Sequence, residues 1–316
     1  MATSSIGAGL DYNDLSLWED DKETSSEDEI AELHENISDS FTMTGWTNPQ
    51  NVTIRSNITG IKRTITNDGS YNLLFFNDVQ TLGVTLQDLV LDAGNNVYYS
   101  GVVINKGVTA LTVKRVKLHN LSAEYGFPVQ VGGQSLTASV SLENCILVGG
   151  YYGLVVYRAA TTSVEVVNCI ATKAAVYGFY VNAVGSGAHT YNFRNCLAFG
   201  NGSDWNNSAT PTVNVLNCVS GDATATHLNH TSSAGSVTLK TDTSAYFTDY
   251  ANDDYTLAQS GYASWGINGD SLTTPASDYD LVARTNDDIG PYEFRGAGHA
   301  GVGSGVGFSV GNKHTF

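Results

Sequence analysis

The chain has 316 residues, room for one elongated domain with end structures or for two modest domains. Only 15% of its residues are charged, and 33 glycines stand against 5 prolines, the composition of a turn-rich β protein. A net charge of −16 speaks against nucleic acid as a partner, since phosphate contacts need clustered Lys and Arg, and no apolar run is long enough to span a membrane.

Residues 1–45 read as an acidic N-terminal cap or docking segment. The first forty residues hold twelve acids and one base, Lys22. Asp11 or Asn13 is placed to cap a short helix carrying Leu15, Leu17 and Trp18, which would cover the open end of a stack of strands. The acids read either as a solvated end or as a docking surface for a basic partner. The first coil is expected to begin within Glu29 to Asn36.

From 46 to 240 the chain repeats. Four Asn-Cys pairs, at Cys145, Cys169, Cys196 and Cys218, are separated by 24, 27 and 22 residues. Each closes an alternating apolar stretch: VSLENC, VEVVNC, YNFRNC, VNVLNC. The same frame runs upstream without cysteine in LTVKRV and VTLQDL, giving six copies with Leu89, Val116 and the four cysteines as equivalents. A repeat of this length built of short strands is one coil of a solenoid, so the fold class is all-β, a single-stranded parallel β-helix.

Columns of the repeat separate inside from outside. Val84, Leu111, Val140, Val164, Tyr191 and Val213 form one apolar column; Leu86, Val113, Leu142, Val166, Phe193 and Val215 form another two residues on. Period 2 points both into the stack, where like residues lie about 4.8 Å apart from coil to coil. The residues between them, Thr85, Thr112, Ser141, Glu165, Asn192 and Asn214, face water.

The asparagines break the alternation. Asn tolerates the left-handed backbone of a sharp bend, so Asn144, Asn168, Asn195 and Asn217 read as a corner ladder whose amides bond from coil to coil, with Asp88 and Arg115 in that place in the two earlier copies. The cysteines match no zinc spacing and read as free buried thiols filling the corner. Just after them come Val90, Lys117, Ile146, Ile170, Leu197 and Val219. If the cysteines point in, this row points out and offers an apolar interface to a partner; if the bend turns it inward, the stripe vanishes.

Residues 241–295 lose the frame and read as an irregular C-terminal cap. Residues 296–316 form a Gly-rich tail. It is either a flexible end or an arm that orders against a neighbour through residues such as Phe308 and Phe316.

Two terminal motifs carry a resemblance. Asp280-Leu281-x-x-Arg284 with Asp288-Ile289-Gly290-Pro291-Tyr292-Glu293-Phe294 resembles the ending of many bacterial and phage right-handed β-helix proteins of the pectate-lyase-like superfamily, with Pro291 where alanine is usual. Ile6-Gly7-x-Gly9-x-Asp11-Tyr12 with Leu15 and Trp18-Glu19 is similar to the opening of phage and prophage β-helix proteins. The resemblance implies a right-handed helix with capped ends and is weak on function, because the superfamily includes lyases, hydrolases, tailspikes and inert structural proteins. Its members are mostly exported. This N-terminus has neither the basic n-region nor the apolar run of a signal peptide, which fits assembly in a host cytoplasm and release in a virion.

No catalytic set is expected. A lyase needs Ca²⁺-binding carboxylates and a base on one outer face; a galacturonidase needs three aspartates, a Gly-flanked His and Arg-x-Lys. The acid pairs Asp253-Asp254 and Asp287-Asp288 fall in the cap region, and the Gly298-His299 pair in the tail. Lys114 and Glu143 read as an ion pair. Glu143 with Glu165, or Asp88 with Asp92, are the best carboxylate couples on offer, and His227-x-x-His230 lacks a third metal ligand. No cofactor is implied. Tyr98, Tyr99, Tyr125, Tyr151, Tyr152, Tyr157, Tyr177 and Tyr180 cluster near coil corners, fit either to stack on sugars or to pack between subunits.

The expected function is a non-enzymatic structural protein of a tailed-phage virion, decorating or cementing the capsid against the major capsid protein or another virion protein. The alternatives are a receptor-binding tail fibre or tailspike, a homo-oligomer such as a trimer that binds, or binds and cleaves, surface glycan, and a polysaccharide lyase.

Overall fold

A computed structural model describes residues 1–46, 50–69, 72–77, 82–94, 100–104, 108–132, 137–157, 161–181, 189–207, 212–224, 237–239, 247–258, 277–281 and 290–292. They build a parallel β-solenoid with three sheets of nine, nine and seven strands, each strand pairing with its counterpart one coil away. One coil serves for all. Thr137–Glu143 lies in the first sheet, Ile146–Gly149 in the second and Tyr152–Tyr157 in the third, and the chain re-enters the first sheet at Thr161–Val167.

Register follows the columns of the repeat. Leu111 pairs with Val84 and Val140, Val164 with Val140 and Tyr191, and Tyr191 with Val213. All six are buried, as are Leu86, Val113, Leu142, Val166, Phe193 and Val215 beside them. A slip of one residue would turn every one of these side chains to water, so the alternation itself holds the register.

The corner between first and second sheets is left-handed in every copy. Asp88, Arg115, Asn144, Asn168, Asn195 and Asn217 have φ between 51° and 56°. Asn accepts this conformation readily and arginine does not, so Arg115 is held there by its surroundings. Main-chain bonding continues through the bend, with the Asn144 N–H donating to Val167 O at 3.0 Å and the Ile170 N–H to Cys145 O at 3.0 Å.

The stack begins earlier than the repeat announces. Ala2–Ile6 is the first strand and pairs in register with Glu29–Leu33, which in turn pairs with Asn51–Ser56. These coils lack the Asn-Cys frame, which is why the expected start at Glu29 misses one strand. The helix Leu15–Lys22 is capped by Asp14, whose carboxylate accepts the Leu17 N–H at 2.8 Å, rather than by Asp11 or Asn13. Asp11 instead accepts the Ser5 N–H at 2.9 Å. Leu15 and Trp18 are fully buried among Ile6, Leu33 and Phe41, seating the helix on the terminal strands. Glu19 is buried with them and accepts from Thr44 N (3.0 Å) and Trp46 Nε1 (2.9 Å).

Residues 241–295 are described only in part. Their described parts lie along the flank of the solenoid. Phe247, Tyr255, Tyr279 and Tyr292 form a second apolar cluster with Ile146, Val148, Ile170, Leu197, Phe199 and Val219. Phe247–Asp249 and Asp254–Leu257 pair antiparallel within this segment.

Candidate functional site

The row after the cysteines does point outward, yet it is not an exposed interface. Ile146, Ile170 and Val219 are fully buried and Leu197 is 1% exposed, because the chain's own C-terminal segment covers them; Val90 at the edge is half-buried. Phe199 stacks on Phe247 at 4.8 Å. The expectation that Ile146, Ile170, Leu197 and Val219 meet a partner protein is therefore corrected: their partner is in the same chain, far downstream, which no local pattern reveals.

Polar contacts fasten the segment at several points. The amides of Asn144 and Asn168 donate to Ser277 O (2.8 Å) and Gly290 O (3.2 Å), and the Gly290 N–H donates to Asn195 O at 2.8 Å. The corner asparagines thus receive the returning chain as well as shaping the bend; Asn217, the last, is half-buried. Lys173 Nζ lies 2.6 Å from Asp253 Oδ1, and Lys117 Nζ 3.9 Å from Asp253 Oδ2. Burial alone would push the Asp253 carboxyl up. The hydrogen bonds from Lys173 and Tyr255, with the charges of Lys117 and Lys173, outweigh it and hold the group below its ordinary value. Lys62 pairs with Asp280 at 3.5 Å and sits 3.8 Å above the Tyr279 ring.

The carboxylates considered as acid–base couples are each engaged elsewhere. Glu143 pairs with Lys114 at 2.7 Å. Glu165 lies opposite Ser141 and Asn192, and accepts from the Asn192 amide. Asp88 is bound at both oxygens by Arg115, at 2.7 and 2.9 Å, while Asp92 accepts from Asn120 and Gly94 N. Among the described residues, no group of three or more His, Cys, Asp or Glu is placed to hold a metal ion, and no helix is long and apolar enough to cross a membrane. Asp287, Asp288, His227, His230, His299, Phe308 and Phe316 lie outside the described residues.

Cys145, Cys169, Cys196 and Cys218 are free and fully buried. Burial first, then the neighbouring thiols, pushes Cys169 and Cys196 well above the ordinary thiol value, so both stay protonated. A thiol-reactive dye is accordingly expected to leave the native protein unlabelled and to titrate four groups after unfolding. Labelling of the native fold would contradict the packing.

The open candidate is the third sheet. Its outer flank carries Phe127, Tyr151, Tyr152, Tyr177 and Tyr180, all half-buried, with Tyr125 55% exposed beside them. Tyr152 and Tyr177 are register partners and stack at 5.4 Å with 12° between planes. Tyr151 and Tyr180 approach Tyr152 at 4.6 Å, tilted by 55° and 46°, and Phe127 at 5.6 Å. Glycine makes this crowding possible. A Cβ on Gly153 would lie 2.3 Å from Gly178 O in the next coil, and Gly150 turns the chain at φ +84°. Burial, then the adjacent phenols, raises Tyr152 to about 12, so its hydroxyl is protonated at neutral pH.

The strands of this sheet carry almost no charge. Its strands, Phe41–Met43, Asn72–Phe76, Ser100–Ile104, Val129–Gly132, Tyr152–Tyr157, Tyr177–Val181 and Ser203–Asn207, hold no Lys, Arg or Glu. Their one acid, Asp204, is 1% exposed and accepts from Asn201, Ser220 and two backbone amides. The first sheet differs, showing Arg55 with Glu32 and Lys114 with Glu143 on its outer face. The tyrosine spacing in the sequence hinted at the rings. The absence of charge emerged only when the strands were gathered into one sheet.

No family model matches the chain, and no curated protein or solved structure matches it.

Proposed function

We propose that the protein is a non-enzymatic structural protein of a tailed-phage virion, a capsid decoration or cement protein docked through its acidic first coil. The observation that carries this is the surface at that end of the stack. Leu10 and Leu17 are 43% and 49% exposed, in the same stretch as Asp11, Asp20 and Asp21, which are exposed as well. Large apolar side chains set among like charges suit a partner with an apolar centre and a basic rim, such as the major capsid protein or another virion protein. The phage-like motifs at both termini support the same reading. The apolar row on the second sheet does not, since the chain itself covers it.

Immunogold labelling of lysate particles, with an antibody against residues 50–240, tests the placement. Label over heads is expected. It should disappear in a Leu17→Ser, Asp20→Asn variant, whose changes are on the exposed side of the helix and leave the buried Leu15 and Trp18 in place. Absence of label from every particle would sink the virion reading.

The second reading is a receptor-binding fibre or spike, favoured by the aromatic flank, and label confined to tail tips would support it. Polysaccharide lyase is a third reading that no described contact favours.

A further inference from the structure

We infer that Tyr152 and Tyr180 form an oxidative cross-linking site, where a one-electron oxidant joins the two rings into a dityrosine staple between adjacent coils. Such a staple forms wherever the protein sits, so it is independent of docking at the first coil.

Ring contact is the first requirement. Tyr152 and Tyr180 have centroids 4.6 Å apart and planes tilted by 46°. The tilt turns a ring edge, where the carbons ortho to the hydroxyl lie, toward the neighbouring ring. Tyr152 and its register partner Tyr177 stack at 5.4 Å with only 12° between planes, which sets faces rather than edges together. Tyr177 also lies 4.9 Å from Tyr180, and Tyr151 lies 4.6 Å from Tyr152. A radical formed on any of the four is therefore one contact from the coupling pair. The sheet holds the rings together, which makes coupling intramolecular and favours it over reaction between molecules.

Access is the second requirement. All four rings are half-buried, so an oxidant in solution reaches the cluster. Other described tyrosine contacts are shielded: Tyr279 and Tyr292 lie 5.4 Å apart but are both buried, and Tyr250 meets Tyr255, which is 1% exposed, at 6.0 Å. Competing reductants are withdrawn as well. The four cysteines and Trp18, Trp46 and Trp205 are all buried. Met1 is exposed, but a thioether is oxidised to the sulfoxide and forms no cross-link.

The step balances with a peroxo oxidant such as persulfate. Each phenol gives up one electron and its hydroxyl proton. The two phenoxyl radicals join through their ortho carbons, and the hydrogens on those carbons move to the oxygens to restore both phenols. Persulfate takes the two electrons as its O–O bond breaks to give two sulfates, and the two protons go to water. The new C–C bond closes a loop of one coil, which reduces the freedom of the unfolded chain as a disulfide does.

The test is brief illumination of the full chain with tris(bipyridyl)ruthenium, which carries the electrons to persulfate, followed by fluorescence, intact mass and peptide mapping. Dityrosine fluorescence is expected on a monomer lighter by two hydrogen atoms, with Tyr152 and Tyr180 in the linked peptides. Its yield should hold over about a tenfold dilution of the protein. Tyr152→Phe and Tyr180→Phe keep the ring packing but remove a coupling partner, and each should lower the fluorescence roughly tenfold. Tyr125→Phe, which alters the exposed tyrosine, should leave it unchanged. Absence of fluorescence, a link mapped to other tyrosines, a yield that falls on dilution, or full fluorescence from either of the first two variants would overturn the inference.

Discussion

Replacing Arg115 with asparagine is expected to destabilise the fold by about 3 kcal/mol, because it leaves Asp88 as a buried charge without its main partner. The two side chains are only 4% and 7% exposed. Burial pushes the Asp88 carboxyl up, but the hydrogen bonds from Arg115 and Gln87 and the charges of Arg115 and Lys62 bring it below its ordinary value. Asparagine isolates the electrostatic effect, since it accepts the φ of +53° that Arg115 adopts and occupies the same place in four later coils. The double variant Asp88→Asn, Arg115→Asn should then recover most of the loss by extending the asparagine corner through six coils. Urea unfolding of the three proteins measures this. A double variant as unstable as the single one would mean the pair matters for its shape rather than its charge.

Phe247→Ala with Tyr255→Ala is expected to detach the C-terminal segment. Truncation of one buried aromatic costs about 3–5 kcal/mol, and both rings pack on Phe199 and the row beneath it. The uncovered Ile146, Ile170, Leu197 and Val219 should bind a hydrophobic dye, and the segment should become open to protease while the coils stay intact. A variant that stays dye-silent would mean that something else covers the row.

Acid is expected to act on the same contact. The Asp253 carboxyl is held below its unfolded value, so its contribution is present above the unfolded pKa of about 3.9 and is lost as pH falls through the folded one. Glu19 runs the other way. Burial raises it against the hydrogen bonds from Thr44 and Trp46, so its contribution is full at low pH and is lost as pH rises through its folded value. Dye binding should therefore appear below about pH 4 while the helix Leu15–Lys22 keeps its seat, a difference that tryptophan fluorescence from Trp18 and Trp46 would register.

The coils were legible in the residues because a solenoid repeats one local solution. Inward columns such as Val84 to Val213 have period 2, and each corner needs a residue that accepts a left-handed backbone, so both constraints leave a mark every 22 to 29 residues. The coils at Ala2–Ile6 and Glu29–Leu33 were harder to read, since no Asn-Cys pair marks them.

Contacts between distant segments left no such mark. That Ile146, Ile170, Leu197 and Val219 point outward follows from the alternation once the corner is known. What covers them depends on Phe247, Tyr255, Tyr279 and Tyr292 returning along the flank, and burial is non-directional, so an apolar row carries no record of its partner. The same holds for charge. Each strand of the third sheet is too short for its lack of Lys, Arg and Glu to stand out. Stacking seven of them turns seven unremarkable segments into one sheet whose strands hold a single acid and no base.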